Sequence, residues 1–454
     1  MNKDMRWFSC LSVILVGAAV FAAPDGALRD AVECTPRGGL PNFFAKCAAG
    51  GEVTVAYLGG SITEQSGWRV QSLAHFQSLF PATRFKEVNA AIGGTGSQLG
   101  VFRLDRDVLQ HRPDLLFVEF AVNDSSVKPE EIVRQMEGIV RKTRRQLPDC
   151  DLCFVYTLTA AENQLGPLKA GNMSSSASAM ERVADHYGIP TIHMGVEVAR
   201  LEKEGKLQMR APGVAMVQIA GKDLDHEAPM RMTADGKIAF AADGVHPYTD
   251  TGHRLYTEAI IRALPALQAA EKNAKTPLLP EPLDPGNLEQ ARLLNVEEAV
   301  MTGPWHRLTA ADIAQGAISG NAGQAFLDRL PSLWRGEPGA ELSFRFKGSL
   351  LTMYEVVGPD SGTVEITVDG RSRKDVRFSP WCTYHMLSTT WIAAGIDPNR
   401  EHHVVIKVLA EPIDKEKILP EGGRRQLQAR PERYQGINWY PGAILLVGEP
   451  VNQP

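Results

Sequence analysis

Between about residues 50 and 270, short apolar runs alternate with amphipathic segments, and this alternation restricts the possible fold more than any other feature. Five runs have the length of a strand: residues 53–58, 85–89, 115–120, 153–157 and 191–194. The clearest helical patterns between and after them are residues 129–147, 174–187 and 251–264, the last expected to end at Pro265. Apolar strands that alternate with helices are typical of a parallel sheet covered on both faces. We therefore predict an α/β domain with a doubly wound parallel sheet over residues 23–270.

The pattern changes after about residue 300, where short β-like runs are separated by turn sequences. These runs are residues 340–346, 350–356, 363–368, 374–378 and 403–408, and a final run, 443–447, is expected to pair with an early strand. Such spacing is typical of an antiparallel sandwich. We predict a jelly-roll-like β-sandwich over residues 301–454, joined to the first domain by a proline-rich linker over residues 271–300.

The N-terminus has the layout of a secretory signal peptide. Lys3 and Arg6 precede an apolar run over residues 7–21, and small residues follow near position 22. This predicts cleavage after residues 1–22 and export to the periplasm or the cell exterior. The alternative is an uncleaved anchor, for which the run is somewhat short. No later segment is long and apolar enough to cross a membrane, so we expect no stable membrane insertion after cleavage.

The composition is that of an ordinary globular protein and limits the partners. With 44% hydrophobic residues, 22% charged residues and a net charge of -5, the chain has no basic footprint for nucleic acid. We therefore expect no nucleic-acid partner, and the oligomeric state stays open.

The chain has six cysteines, five of which follow the predicted signal peptide. In an oxidising compartment, Cys34 and Cys47 are a reasonable bridge across a short loop. Cys150 and Cys153 form a C-x-x-C pair that leads into a strand rather than a helix. This favours buried or locally bridged cysteines over a redox or zinc site.

Two motifs carry the residues of a serine hydrolase. Gly59-Gly60-Ser61 follows the first predicted strand, and two glycines there allow a sharp turn that exposes the serine. A serine hydroxyl is a weak nucleophile until a base removes its proton. The loop before the last helix contains Asp243-Gly-Val-His246, whose carboxylate can orient the imidazole as that base. Taken singly, the first motif is also a common turn, and the second is also an Asx-turn with a surface histidine.

Two more motifs offer hydrogen-bond donors at strand ends. Asn123 follows the third strand, and its side-chain amide can donate to a developing oxyanion. Gly93-Gly94 follows the second strand, where glycine allows a ligand to approach the backbone N–H closely. The plain alternatives are a polar strand end and a flexible turn.

Together, and in this order, these motifs resemble those of the SGNH hydrolase superfamily, also called GDSL esterases and lipases. Ser61, Gly94 and Asn123 match the residues of its first three blocks, and Asp243 and His246 match its final Asp-x-x-His. The chain departs from the family at supporting positions, with Gly-Gly-Ser for Gly-Asp-Ser and Ala-Val-Asn-Asp for Gly-x-Asn-Asp. The resemblance covers about residues 50–265.

The resemblance implies a flavodoxin-like three-layer sandwich and a Ser61, His246 and Asp243 triad acting through an acyl-enzyme. It implies an oxyanion hole made by the N–H groups of Ser61 and Gly94 and the amide of Asn123, with Gly93 as a competitor for Gly94. It implies no metal and no organic cofactor.

The sequence says less about the ester. Trp68 and Arg69 either line a substrate pocket or begin a helix with a packing indole. Aromatic residues of the second domain either stack on sugars or fill its core: Trp381, Tyr384, Trp391, Trp439 and Tyr440. The absence of a long apolar lid in the sequence and the sandwich module favour removal of O-acetyl groups from a glycan. The alternatives are another GDSL-type esterase or lipase, acting on short-chain, peptidoglycan or lipid esters, and a catalytically silent glycan-binding protein.

Overall fold

The computed structural model describes residues 27–214, 221–225, 227–270, 279–318 and 323–451. The predicted signal peptide over residues 1–22 lies outside the described residues, so its cleavage stays a prediction. Within the described ranges, no helix is both long and apolar enough to span a bilayer.

The first sheet has six strands in the order β1-β6-β5-β4-β2-β3. Its strands are β1 (Cys34–Thr35), β2 (Gly51–Gly59), β3 (Thr83–Asn89), β4 (Leu115–Glu119), β5 (Asp151–Tyr156) and β6 (Thr191–His193). Strands β2 to β6 are parallel, and β1 is an antiparallel edge strand. The predicted parallel sheet is thus confirmed. Because β3 and β4 lie on opposite sides of β2, the strand order reverses there, and open α/β sheets bind ligands at such a switch point.

Helices cover both faces of this sheet. They are α1 (Pro41–Ala49), α2 (Ser61–Glu64), α3 (Trp68–Leu79), α4 (Ser97–Asp107), α5 (Pro129–Gln146), α6 (Glu162–Lys169), α7 (Ser175–Tyr187), α8 (Val196–Lys203) and α9 (Gly252–Ala269). Alternate residues of the fully buried β4 enter two separate cores: Leu116 and Val118 face α4, α5 and α7, whereas Leu115 and Phe117 face α1, α3, α8 and α9. Burial on both faces explains why the inner strands are mostly apolar, whereas the edge strand β3 carries charged side chains. A small parallel pair, β7 (Leu207–Arg210) and β8 (Ile238–Ala241), precedes α9.

The helix ends follow their local chemistry, with one exception. Helix α5 begins at Pro129, and α7 is capped by the Ser174 side chain and ends at Gly188, which has a φ of 64°. Helix α9, however, continues past Pro265 to Ala269, so the predicted end at Pro265 is wrong. Leu264 and Leu267 are both buried against the sheet, and this burial outweighs the hydrogen bond that the proline removes.

The second sheet is antiparallel and has eight strands. Its strands are β9 (Ala291–Leu294), β10 (Val300–Thr302), β13 (Glu341–Val357), β14 (Thr363–Val368), β15 (Arg371–Val376), β16 (Met386–Ala394), β17 (Glu401–Val408) and β18 (Tyr440–Pro450). A separate antiparallel pair consists of β11 (Trp305–Arg307) and β12 (Trp334–Gly336). The helices of this region are α10 (Ala310–Ala314), α11 (Gly323–Arg329), α12 (Lys415–Ile418) and α13 (Glu421–Ala429). The final strand pairs with β9 and β13, as expected for the run at 443–447.

Strand β13 joins the two halves of this second sheet. The sequence predicted two strands here, but a single 17-residue strand pairs first with β10 and β17 and then with β16 and β18. The register shifts after Gly348, and residues from both halves of the strand share one apolar core. The predicted antiparallel domain is therefore confirmed.

Residues 279–300, the described part of the predicted linker, are partly structured and contact the α/β domain. The Glu137 carboxylate of α5 accepts the backbone N–H of Asp284 at 2.8 Å and that of Leu283, and residues 291–294 already form β9. Side chains of β13 and β18, such as Tyr354 and Leu445, join the same apolar core as α4 and α5. The two domains therefore pack against each other over a shared core.

The predicted bridge between Cys34 and Cys47 is wrong, because both cysteines are free. Cys34 lies on β1 at one edge of the first sheet. The carbonyl of Cys47 accepts the hydroxyl of Thr83, which begins β3 at the opposite edge, at 2.8 Å. Five strand spacings, roughly 24 Å, separate the two edges. Cys150 and Cys153 are also free and buried, and burial raises the pKa of both thiols well above the usual range.

Candidate active site

The turn after β2 exposes Ser61 at the switch point of the sheet. Ser61 is the first residue of α2 and directly follows Gly59 and Gly60. The carboxyl of Glu119, the last residue of β4, lies below this turn and accepts the Gly60 N–H and the hydroxyl of Thr63, the latter at 3.0 Å. Burial raises the pKa of Glu119 to about 7, although these hydrogen bonds and one from Thr157 oppose the rise. The two neighbouring strands β2 and β4 thus hold the serine turn from beneath.

Ser61, His246 and Asp243 form one continuous hydrogen-bonded chain. The Nε2 atom of His246 lies 2.9 Å from the Oγ of Ser61, and its Nδ1 atom lies 2.7 Å from an oxygen of Asp243. With Nδ1 protonated towards the carboxylate, Nε2 accepts from the serine hydroxyl. The folding of the domain brings together residues 185 positions apart in the chain.

The local Asx-turn and the contact with the imidazole are both present at Asp243. One carboxylate oxygen accepts the backbone N–H groups of Val245 and His246, each at 2.8 Å, while the other contacts the His246 ring. Burial opposes ionisation of this carboxyl, but the hydrogen bonds from His246 and Val245 dominate and lower its pKa to about 2. Gly244, with a φ of 77°, allows the turn between them. The carboxylate is therefore ionised at neutral pH and aligned with the ring.

Gly94, rather than Gly93, offers a backbone donor beside Ser61. The N–H of Gly93 already donates to the carboxylate of Glu64 at 2.9 Å. The N–H of Gly94 has no acceptor within the described part of the chain, and the space beside its α-carbon is open. Its φ of 74° lies in the left-handed region that favours glycine. A β-carbon on Gly93 would lie 3.3 Å from that of Ser61, so this loop borders the serine directly.

The Asn123 side chain lies against the serine turn. A β-carbon on Gly60 would lie 2.0 Å from its Oδ1 atom, and its amide makes no hydrogen bond to any other described residue. The next residue, Asp124, is buried and accepts the backbone N–H of Ser97 at 3.1 Å, which ties the asparagine to the loop that follows Gly94. Burial raises the pKa of Asp124 to about 6, although the Ser97 hydrogen bonds oppose this.

A second histidine nearby, His253, is not placed to act as a base. Its Nδ1 accepts the backbone N–H of Trp68 at 3.2 Å, and its Nε2 lies 3.1 Å from the side-chain oxygen of Gln65. Burial, and then the charge of Arg69, lower its pKa to about 3. Both ring nitrogens are occupied and the ring stays neutral.

Trp68 and Arg69 do not line a substrate pocket, so that prediction is corrected. The indole of Trp68 has no exposed surface and packs edge-on against Tyr57 at 5.4 Å. Arg69 is buried, pairs with Glu87 and donates to the carbonyl of Thr63 at 3.1 Å. Both side chains face inwards because they begin α3, whose buried face covers the sheet.

Several residues around the site escaped the sequence analysis. Asp124 directly follows Asn123 in the same motif, but the sequence analysis assigned a role only to Asn123. Glu64 lies one helical turn after Ser61 and has no unusual local pattern. Arg329, which contacts Glu64, lies 265 residues further along, where no local signal points to the site. Among the described residues, no group of three or more His, Cys, Asp or Glu side chains is arranged to hold a metal ion.

A cavity of about 620 Å³ adjoins the site and is bordered by both domains. Gly94 and Asn123 lie on one side, and Tyr384 and Ser388 of the second domain lie on the other. Of the five aromatic residues predicted as sugar platforms or core, Trp439 and Tyr440 are buried. The remaining three are exposed: Trp381, Tyr384 and Trp391.

The fold has close counterparts among solved structures. A crystal structure of a two-domain esterase active on acetylated mannans, co-crystallized with mannopentaose, is 20% identical and has a TM-score of 0.63, covering 93% of this chain and 98% of that one. A second crystal structure of a two-domain esterase active on acetylated mannans is also 20% identical, with a TM-score of 0.64, and covers 92% of this chain and 98% of that one. At this identity the similarity shows a shared two-domain fold. No curated protein matches the sequence.

Residues 57–255 match the sequence model of the GDSL-like lipase/acylhydrolase family. The matched segment contains Ser61, Gly94, Asn123, Asp243 and His246, which the structure brings to the switch point of the sheet. Over this segment the α/β domain of this chain is therefore similar to the GDSL-like lipase/acylhydrolase family.

Proposed function

We propose that this protein is an exported serine esterase that removes O-acetyl groups from a carbohydrate. The observation that carries the ester-hydrolase part is the hydrogen-bonded chain from Ser61 through His246 to Asp243, with distances of 2.9 and 2.7 Å. The available donors at Gly94 and Asn123 support the same chemistry, because acyl transfer needs donors where negative charge develops.

In the proposed mechanism, His246 acts first as base and then as acid. Its Nε2 takes the Ser61 proton as Oγ attacks the ester carbonyl, and Asp243 stabilises the resulting imidazolium. The carbonyl oxygen becomes an oxyanion that accepts from the N–H groups of Ser61 and Gly94 and the amide of Asn123. As the carbon–oxygen bond to the sugar breaks, the departing oxygen takes the proton from Nε2. Water, deprotonated by the same nitrogen, then hydrolyses the acyl-enzyme and releases acetate and Ser61.

The shape and lining of the cleft support a carbohydrate as the alcohol part of the ester. The cavity beside Gly94 has polar side chains on both walls, among them Gln98, Ser388 and Thr389. Tyr384, which lines the outer wall, is 54% exposed, and Trp381, three residues earlier in the chain and outside the lining, is 73% exposed. Rings with exposed faces beside polar groups suit the alternating apolar and hydroxyl surfaces of sugars. The related crystal structure is that of an esterase active on acetylated mannans, which agrees with this substrate class.

The test of this function is acetate release from acetylated mannan and acetylated xylan, with Ser61→Ala as the control. We expect release by the wild type and none above background by the variant. On p-nitrophenyl esters, the acetate should react faster than the octanoate. Faster hydrolysis of the octanoate, or equal acetate release by Ser61→Ala, would overturn the proposal.

A contact between the second domain and the sugar can be tested by comparing two aromatic variants. Tyr384→Ala should raise KM for an acetylated oligosaccharide several-fold and leave the hydrolysis of p-nitrophenyl acetate unchanged. Trp391→Ala, also exposed but absent from the lining of this cavity, is the matched control. Equal effects of both variants on the oligosaccharide would argue against sugar contact at Tyr384.

Export rests on the N-terminal pattern of basic residues, apolar run and small residues. N-terminal sequencing of the protein recovered from the periplasm or medium should begin after residue 22. Recovery of the full-length chain from the membrane fraction would instead support the uncleaved anchor.

A further inference from the structure

Glu64 connects the serine turn, the oxyanion loop and the second domain. Its backbone N–H donates to the carbonyl of Gly60 at 2.9 Å, within the turn that carries Ser61. One carboxylate oxygen accepts the N–H of Gly93 at 2.9 Å, and the other accepts from the guanidinium of Arg329 at 2.6 Å. The same side chain therefore contacts a loop residue adjacent to Gly94 and an arginine from outside the α/β domain.

Arg329 is itself held in place. It is the last residue of α11, whose Phe326 is buried in the core shared by the two domains, as is the following residue, Leu330. The carbonyl of Arg329 accepts from the guanidinium of Arg106 on α4 at 2.7 Å. The arginine thus reaches Glu64 from a fixed backbone, although the pair itself remains partly exposed.

The negative charge of Glu64 disfavours an oxyanion nearby, and the positive charge of Arg329 reduces this effect. A carboxylate one residue from an oxyanion donor repels the negative charge that develops on the substrate oxygen. A cation paired with this carboxylate cancels much of that repulsion, and the effect is larger in a partly buried site than in water. The carboxylate is nevertheless needed, because it accepts a hydrogen bond from the N–H of Gly93. This bond fixes the loop so that the N–H of Gly94 remains available to a ligand.

We propose that Glu64 and Arg329 are positioning residues of the esterase site: Glu64 fixes the Gly93–Gly94 loop, and Arg329 of the second domain neutralises Glu64. This inference rests on the proposed function of Ser61. It assigns the second domain a part in the chemical step, in addition to any contact that Arg329 makes with sugar as a lining residue of the cavity. Variants at this pair should therefore change kcat on a small ester that has no sugar at all.

The experiment is a double-mutant cycle in the full chain, with p-nitrophenyl acetate as substrate. Arg329→Gln leaves Glu64 unpaired and should lower kcat at least tenfold, with KM within twofold of wild type. Glu64→Gln keeps an acceptor for Gly93 without the charge and should stay within threefold. The double variant should recover to within threefold of wild type, because the uncompensated charge is gone. Arg329→Lys, which retains the cation, should lie within fivefold.

The control is Arg292→Gln, which removes an exposed ion pair with Glu449 in the second domain and should leave kcat unchanged. Melting temperatures of all variants separate folding defects from catalytic ones, since a merely structural role predicts additive losses that follow stability. A kcat for Arg329→Gln less than tenfold below wild type would overturn the inference, as would a double variant at the product of the single losses. If the wild type is inactive or Ser61→Ala retains its rate, the proposed function fails instead, so the two failures are distinguishable.

Discussion

Replacing Gly60 with alanine should displace the side-chain amide of Asn123 and remove it as a hydrogen-bond donor, although Asn123 itself is unchanged. Gly60 has a φ of -95°, which alanine adopts without backbone strain. Its new β-carbon, however, would lie 2.0 Å from the Oδ1 of Asn123. Because this atom is at the far end of a side chain, we expect the asparagine to move rather than the backbone, with little change in melting temperature.

The size of the effect follows from that distance. Restoring an ordinary contact of about 3.4 Å to Oδ1 requires a shift of roughly 1.4 Å. Because Oδ1 and the Nδ2 donor belong to one planar amide, the donor is displaced with it, and a hydrogen bond lengthened from about 2.9 Å by that amount is lost. Losing one oxyanion donor costs about 10²–10³ in kcat, or about 2.7–4 kcal/mol of transition-state stabilisation. Gly60→Ala should therefore lower kcat on p-nitrophenyl acetate by about 10²-fold, close to the loss expected for Asn123→Ala.

The double variant is the decisive measurement. Once Asn123 is alanine, the added methyl group has nothing to displace, so Gly60→Ala/Asn123→Ala should be no slower than Asn123→Ala alone. Gly422→Ala is the matched control, because a β-carbon there meets nothing within 4 Å. The reasoning is refuted if Gly60→Ala keeps kcat within threefold of wild type, or if the double variant is tenfold slower than Asn123→Ala.

Three further predictions concern the triad and its support. Ser61→Ala should lower kcat by several orders of magnitude, measured with p-nitrophenyl acetate, and a near-normal rate would exclude Ser61 as nucleophile. Asp243→Asn should lower kcat about 10⁴-fold, the loss known for Ser-His-Asp enzymes, because the amide no longer holds the productive His246 tautomer; a loss confined to KM would contradict this role. Glu119 has a folded-state pKa of about 7 against an ordinary 4.5, so unfolding releases a proton between these values and stability falls as pH rises through that window. At about 1.4 kcal/mol for each pKa unit, this group should contribute roughly 3 kcal/mol less at pH 8 than at pH 4. Urea unfolding should show this pH dependence reduced in Glu119→Gln, and an unchanged dependence would exclude Glu119 as its source.

The two sheets and the members of the hydrogen-bonded chain could be predicted from the sequence because their signals are local. Apolar strand segments such as residues 115–118 need to be buried on both faces, and this need appears directly as an unbroken apolar run. Ser61, Asn123 and Gly94 each follow a strand, and the carboxyl ends of parallel strands meet at one edge of a sheet. Asp243 and His246 are three residues apart, so their contact is also a local one.

The errors came from interactions between distant segments. Pro265 normally ends a helix, but burial of Leu264 and Leu267 keeps α9 intact to Ala269. Trp68 and Arg69 follow Ser61 closely in sequence, yet the orientation of α3 turns both inwards. Their spacing of 13 residues favoured a bridge between Cys34 and Cys47, but Cys34 lies on one edge strand and Cys47 contacts the strand at the opposite edge.

The sequence alone determined the residue types of the site and their order along the strands, because period, turn chemistry and motif spacing act over a few residues. Only the tertiary structure decided that Glu64 occupies the N–H of Gly93 and leaves that of Gly94 available. Only the packing of the second domain placed Arg329 against that carboxylate. Side-chain contacts across 265 residues depend on how whole elements pack, and no local pattern in the chain encodes them.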